Sequence, residues 1–471
     1  MTTVLAIDQG TSGTKAVVVD PAGNILGLSE IAVTPAYSSG GAVEQNPQEL
    51  LDSVVAAGRA AVDQSRALVD IVTIANQGET VLAWDPKTGE PLSNMVVWQD
   101  RRAESVTNRL QDKSEIFEQK TGLVLDPYFS APKQAWIREN VTKQGVVTTS
   151  DSWLLHQLTG EFVTDVSTAS RSLVTDLDTG EWDRELLSHF DLQDEKLPKI
   201  LNSDEIAGVT RHFGGIMPVG GLIVDQQAAL LAEKCLEVGE AKCTFGTGAF
   251  LLANTGKRAV RSSAKLAASF AWRTELETAY CFDGQVYTAA SAVRWLKQMG
   301  FINAASELDI KAASHHDGIY SVPAFAGLAA PRWRPDVKAS FSGITLSSEP
   351  SHFILAVLQG IAAQVAELVD LVESDMGSAL KTLRVDGGLT QSAVLMQSVA
   401  DLTQRTIEIY PSQHATPLGA AALARVASKS GGWIKDSVIE WAPSHVFEPK
   451  WRSEQAQEFR TAWATAADSA L

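Results

Sequence analysis

LAIDQGTSGTKAVVVD (5–20) decides the fold. An apolar strand ends at Asp8, a small-residue loop (Gly10, Thr11, Ser12, Gly13) follows, and a second apolar run returns through Ala16–Val19. Phosphate-binding loops of the P-loop or dinucleotide type run from such a turn into a helix whose N-terminus faces the anion. Here the residues after the loop are β-branched and a turn, Asp20-Pro21-Ala22-Gly23-Asn24, ends them, so the stretch predicts a β-hairpin with a carboxylate at its mouth.

The motif recurs. AKCTFGTGAFLLANT (241–255) again reads strand, Gly-Thr-Gly turn, apolar strand. Two phosphate-sized hairpins in one chain predict a duplicated α/β fold with a nucleotide in the cleft between the halves, the hairpin logic of actin-like ATPases. Backbone N–H groups and hydroxyls of the hairpins would cradle phosphates, and Asp8 would organise magnesium. A chain of 471 residues is long enough for two domains of roughly 200 residues each.

Other segments agree with an α/β class. VDIVTIANQ (69–77) and NMVVWQD (94–100) read as strands. In 353–377, Ile354, Val357, Leu358, Ile361, Val365, Leu368, Val369 and Val372 recur at helical spacing, with Gly377 as the stop. TLRVDGGLTQSAVLMQSVADL (382–402) reads as strand, Gly-Gly turn, helix. The net charge of -17 argues against nucleic-acid or anionic-membrane partners. Three cysteines without CxxC spacing predict neither a disulfide framework nor a zinc site and fit a reducing cytoplasm. No signal or membrane-spanning segment is expected, because no uncharged apolar run approaches about 18 residues.

DQGTSGTKA (8–16), NQGETVLAWD (76–85), VVWQDRR (96–102), DPYFSAPKQAWIREN (126–140), VDQQAAL (224–230), FGTGAF (245–250), VPAFAGLAAPRW (322–333) and DGGLTQSAVLMQSVAD (386–401) together resemble the FGGY carbohydrate kinases, most closely the glycerol branch. The resemblance implies two ribonuclease-H-like domains, 1–234 and 235–471, an interdomain cleft, and ATP-dependent phosphorylation of a small polyol. Glycerol is the first candidate; a tetritol, pentitol or pentulose is the alternative. It also implies magnesium and a homodimer or homotetramer. Carried over by position, Asp225 is the catalytic base and Asp8 the metal residue. Thr11, Ser12, Gly246, Thr247, Gly387, Gly388 and Ser392 surround the nucleotide, and Glu79, Trp98, Tyr128, Asp225, Gln226 and Phe250 surround the acceptor. Local sequence leaves a second reading of Asp225, as the N-cap of the helix that follows. A filament-forming ATPase would share the hairpins but has no use for the acceptor cluster.

One position departs from the family. Gly78 stands where the glycerol branch carries an arginine that bonds the acceptor. Loss of that fork predicts room for acceptors longer than glycerol, unless another arginine, Arg101 or Arg102, takes its place.

Overall fold

The computed structural model describes residues 2–38, 41–428 and 432–469. The opening stretch is the predicted hairpin: β1 (Val4–Gln9) and β2 (Gly13–Val19) are antiparallel, with Asp8 opposite Lys15. β3 (Ile25–Ala32) continues the meander. On the other side β4 (Ile71–Asn76) lies parallel to β1, and it is followed outward by β6 (Met217–Gly220) and β5 (Ile206–Thr210), while β7 (Ile223–Val224) also pairs with β4. Val4–Ile7 are fully buried because helices cover both faces of the sheet.

The second half is built around the same kind of hairpin. β8 (Ala241–Phe245) and β9 (Ala249–Gly256) form the second hairpin, and β11 (Thr278–Val286) and β10 (Ala267–Arg273) extend it on one side. β12 (Thr382–Asp386), β13 (Thr406–Ile409) and β14 (His445–Phe447) follow on the other, the first two parallel to β8. The spatial order is β5-β6-β4-β1-β2-β3 in the first half and β10-β11-β9-β8-β12-β13-β14 in the second, so each sheet sets the first strand of its hairpin beside a parallel strand from later in the chain. This is the ribonuclease-H-like domain of the actin-like ATPases, present twice.

The α1 helix (Pro47–Ser65) is capped by the Asn46 side chain, which accepts from the Gln48 and Glu49 N–H groups, and packs on β2 and β3. The 353–377 prediction holds, as Pro350–Met376 ended by Gly377 in the left-handed conformation. That helix is long and apolar enough to cross a membrane, but 83% of its apolar window is buried inside the protein, which makes it a core helix. The 94–100 prediction does not hold: only Met95–Val96 pair as a strand. Beyond them the chain turns, Asp100 N bonding Val97 O, so that Trp98 leaves the sheet and enters the cleft. Cys235, Cys243 and Cys281 are free and buried.

Two helices join the halves. Asp225–Ala232 and Ala415–Ser428 pack on each other, and the latter lies against β1 and β4 although it comes from the far end of the chain. Their contact depends on Gly419: a Cβ there would stand 1.7 Å from the Ala228 carbonyl oxygen. Gly419→Ala is therefore expected to push the two helices apart, costing about 1–3 kcal/mol. A thermal midpoint at or above that of the wild type would contradict this packing.

Candidate active site

Several side chains come together at the junction of the halves. Asp225 is the first residue of its helix, and its carboxylate accepts from the Gln226 N–H at 2.6 Å. The N-cap position belongs to Val224, so capping does not explain the aspartate. Burial pushes its carboxyl up to about 7, with the neighbouring Asp8 adding to the rise and Lys242 opposing it. Asp8, at the end of β1, is pushed by burial to about 6, against the pull of Lys15. Asp386, at the end of β12, is also raised by burial and faces Asp8 electrostatically. The three carboxylates thus close on the cleft from both sheets and from the linking helix.

The residues expected around the acceptor form an aromatic wall. Trp98 meets Tyr128 at 5.6 Å and Phe250 at 6.2 Å, both edge to face. Trp98 donates its indole N–H to Thr11 Oγ1 at 2.8 Å, which ties the first hairpin to this wall. Glu79 is 2% exposed, is pushed to about 7 by burial, and interacts with Asp225. Gln226 accepts from Lys242 Nζ at 2.6 Å through its side-chain oxygen.

Tyr128 is held by the helix after it. Lys133 Nζ donates to the backbone carbonyls of Pro127, Tyr128 and Phe129, wrapping the loop around its own ammonium. Burial lowers the Lys133 pKa to about 7, and the carbonyl cage replaces the water it has lost.

The residues expected at the nucleotide lie on the two hairpins and on the turn after β12. In the first hairpin, Gly10 N bonds Gly13 O at 3.0 Å, closing the loop that carries Thr11 and Ser12. In the second, the carbonyls of Gly246 and Thr247 accept the N–H groups of Ala290 and Ala289, so the loop sits on the start of the Ala290–Gln298 helix. Gly387 has φ +95°, and a Cβ on it would lie 2.5 Å from Phe245 O. No other residue fits the contact between the β12 turn and the second hairpin. A cavity of about 390 Å³ opens beside that turn, lined by Asp386, Gly387, Thr390, Gln391, Tyr410 and Phe447, a size suited to a nucleoside. Gly388 begins the short turn behind it. Ser392 sits differently: it caps the Ala393–Thr403 helix and donates to Asp309 Oδ1 at 2.6 Å, so its hydroxyl is already engaged.

The arginine question resolves away from both candidates. Arg101 pairs with Glu104 and Asp126, and Arg102 with Asp100 and Glu44. The guanidinium in the pocket belongs to Arg171, 4% exposed, which bonds Glu79, reaches the Tyr128 hydroxyl at 3.4 Å, and pairs with Asp283 at 2.9 Å. Burial alone would lower the Arg171 pKa; Glu79 and Asp283 more than offset it and hold the group charged. Nor does Gly78 simply leave room. Its φ is +62°, and a Cβ would lie 2.9 Å from Val224 Cγ2, directly before Asp225. Arg171, Asp283 and Lys242 escaped the reading of the sequence. Lys242 left the clearest trace, a lone cation inside an apolar strand.

A cleft between duplicated ribonuclease-H-like domains, with a glycine-rich hairpin from each half and an aromatic, carboxylate-bearing pocket beside them, has the form of a small-molecule kinase. The profile of the FGGY family of carbohydrate kinases matches residues 3–232 with its N-terminal domain and 241–428 with its C-terminal domain. A glycerol kinase of Rhodopirellula baltica is 38% identical over 485 residues, spanning 98% of this chain and 90% of its own. Another from Alkalilimnicola ehrlichii is 40% identical over 447 residues, 90% of each chain. The crystal structure of Plasmodium falciparum glycerol kinase with ADP superposes with TM-score 0.93 at 32% identity, over 100% of this chain and 98% of that one. The chain belongs to the FGGY family of carbohydrate kinases and is an ATP-dependent sugar or polyol kinase.

Proposed function

We propose that the protein transfers the γ-phosphoryl group of ATP to a hydroxyl of a small polyol, glycerol being the first acceptor to test because the similar proteins are glycerol kinases. The observation that supports this reading is the bond from Trp98 to Thr11, which ties the wall proposed for the acceptor to the hairpin proposed for the phosphates. The acceptor oxygen attacks the γ-phosphorus, the β–γ bridging oxygen leaves on ADP, and the hydroxyl proton passes to the Asp225 carboxylate. A base with a pKa of about 7 is matched to that task near neutral pH. Thr11, Ser12, Gly246, Thr247, Gly387 and Gly388 hold the nucleotide in this reading. Glu79, Trp98, Tyr128, Gln226 and Phe250 orient the acceptor, and closure of the two halves keeps water from taking the phosphoryl group.

Magnesium in such sites takes one or two protein carboxylates together with phosphate oxygens and water. Asp8 and Asp386 suit it: they are mutually repelling carboxylates, and Asp386 Oδ1 is buried without a hydrogen-bond partner among the described residues. When bound, the ion would neutralise charge on the phosphates. We also place the working division at 234/235, and propose a cytoplasmic homodimer or homotetramer, to be tested by light scattering.

ATP consumption with magnesium and a panel of glycerol, dihydroxyacetone, four- and five-carbon polyols and pentuloses tests the function. Acceptor-dependent turnover supports it, and none with any acceptor counts against it.

Raised carboxylate pKa values also set a pH dependence. Asp8, Glu79 and Asp225 keep protons in the folded state that the unfolded chain has already lost. Stability of the ligand-free protein is therefore expected to fall as pH rises from about 4 to 7 on account of these groups. Magnesium–nucleotide is expected to raise the thermal midpoint more at pH 8 than at pH 6, and a larger rise at pH 6 would contradict the assignment.

A further inference from the structure

The pocket has a second polar end, built by the C-terminal half. Asp283 and Gln285 alternate on β11, and Gln285 lies opposite Phe250 on β9, so its side chain shares the face of the aromatic wall. Gln285 Nε2 lies 3.5 Å from Asp283 Oδ2, which also accepts from Arg171 at 2.9 Å, and Arg171 in turn contacts Glu79 and the Tyr128 hydroxyl. Both residues are buried, Asp283 at 3% and Gln285 at 5% exposure. Each nevertheless keeps an oxygen without a partner, Asp283 Oδ1 and Gln285 Oε1. Buried acceptors of this kind are ordinarily satisfied, and an unsatisfied pair beside a binding site calls for a ligand that donates.

The arrangement reads as two polar ends separated by an apolar stretch. Asp225 and Gln226 stand at one end and Asp283 and Gln285 at the other, with Trp98, Tyr128 and Phe250 between, while Glu79 interacts electrostatically with Asp225 and bonds Arg171, the partner of Asp283. We propose that Asp283 Oδ1 and Gln285 Oε1 are specificity-determining acceptors for hydroxyls of the substrate remote from the reacting one, so that the preferred acceptor is a linear polyol longer than glycerol. Arg171 is the positioning residue, since it holds Asp283 in place from the opposite half. This rests on the polyol-kinase reading above and assigns its far subsite.

Erythritol and 1,2,4-butanetriol, which differ by one internal hydroxyl, provide the test with the full-length protein and its Gln285→Leu variant. The wild type is expected to favour erythritol by about tenfold in kcat/KM, the scale of a lost hydrogen bond in a buried site. Gln285→Leu is expected to erase that preference through a roughly tenfold higher KM for erythritol, with the KM for ATP unchanged. Asp283→Asn, checked for folding by thermal midpoint, should act in the same direction. Equal loss with both alcohols, or no loss with either, would overturn the proposal. Turnover of glycerol with neither four-carbon alcohol overturns it and leaves the polyol-kinase reading intact. No transfer to any polyol overturns both.

Discussion

Replacing Asp225 by Asn is expected to lower kcat by about 10²–10⁴-fold, the usual contribution of a positioned general base, while the KM for ATP stays near wild type. The thermal midpoint should hold or rise. The aspartate does not cap its helix, because Val224 occupies that position, and its carboxyl sits beside Asp8 in a buried site that resists ionisation. The asparagine keeps the shape and removes a charge that folding disfavours. A residue that served the fold would give the opposite pattern, lower stability with little change in turnover. Reading the two quantities on one variant therefore separates catalysis from architecture.

The second large effect belongs to Arg171. Arg171→Met removes the guanidinium that bonds Glu79, Asp283 and the Tyr128 hydroxyl, leaving two carboxylates buried without their counter-ion. Breaking a buried pair in this way costs about 3–5 kcal/mol, and the thermal midpoint should drop by several degrees. Arg171 comes from the N-terminal half and Asp283 from the C-terminal half, so the loss also loosens the contact between the halves, and the acceptor KM should rise with it. Combining Arg171→Met with Asp283→Asn removes one of the stranded charges and should recover part of the stability. A single variant as stable as the wild type would show that the cluster is not the interdomain anchor described above.

The parts of this account that were legible in the sequence are those encoded locally. The hairpins follow from β-branched runs on either side of Gly-Thr-rich turns, and the Pro350–Met376 helix from its apolar spacing and Gly377. Asp225, Glu79, Trp98 and Tyr128, which the structure gathers at the junction of the halves, stood out because their neighbours in the chain carry family patterns. Arg171 lies in a run of small residues, DVSTASRSLV, where nothing local marks it as buried; its place follows from the Asp165-capped Val166–Ala169 turn and the bond from Phe270 N to Ser170 Oγ. Asp283 and Gln285 look like ordinary alternating strand residues until β11 is set beside β9. Trp98 was read as part of a strand, and the turn after Val96 is what releases it to the cleft. Ser392, expected at the nucleotide by position, also caps a helix and donates to Asp309, bonds visible only in the folded chain.

The central claim is direct transfer of the γ-phosphoryl group to a polyol hydroxyl over Asp225. Mass spectrometry of the products after incubation with magnesium, a polyol and ATP labelled with ¹⁸O in the γ-phosphoryl group tests it most directly. The account predicts a polyol phosphate ester carrying the labelled oxygens with the wild type and almost none with Asp225→Asn. Label appearing only in inorganic phosphate, or ester formed equally well by both proteins, would contradict it.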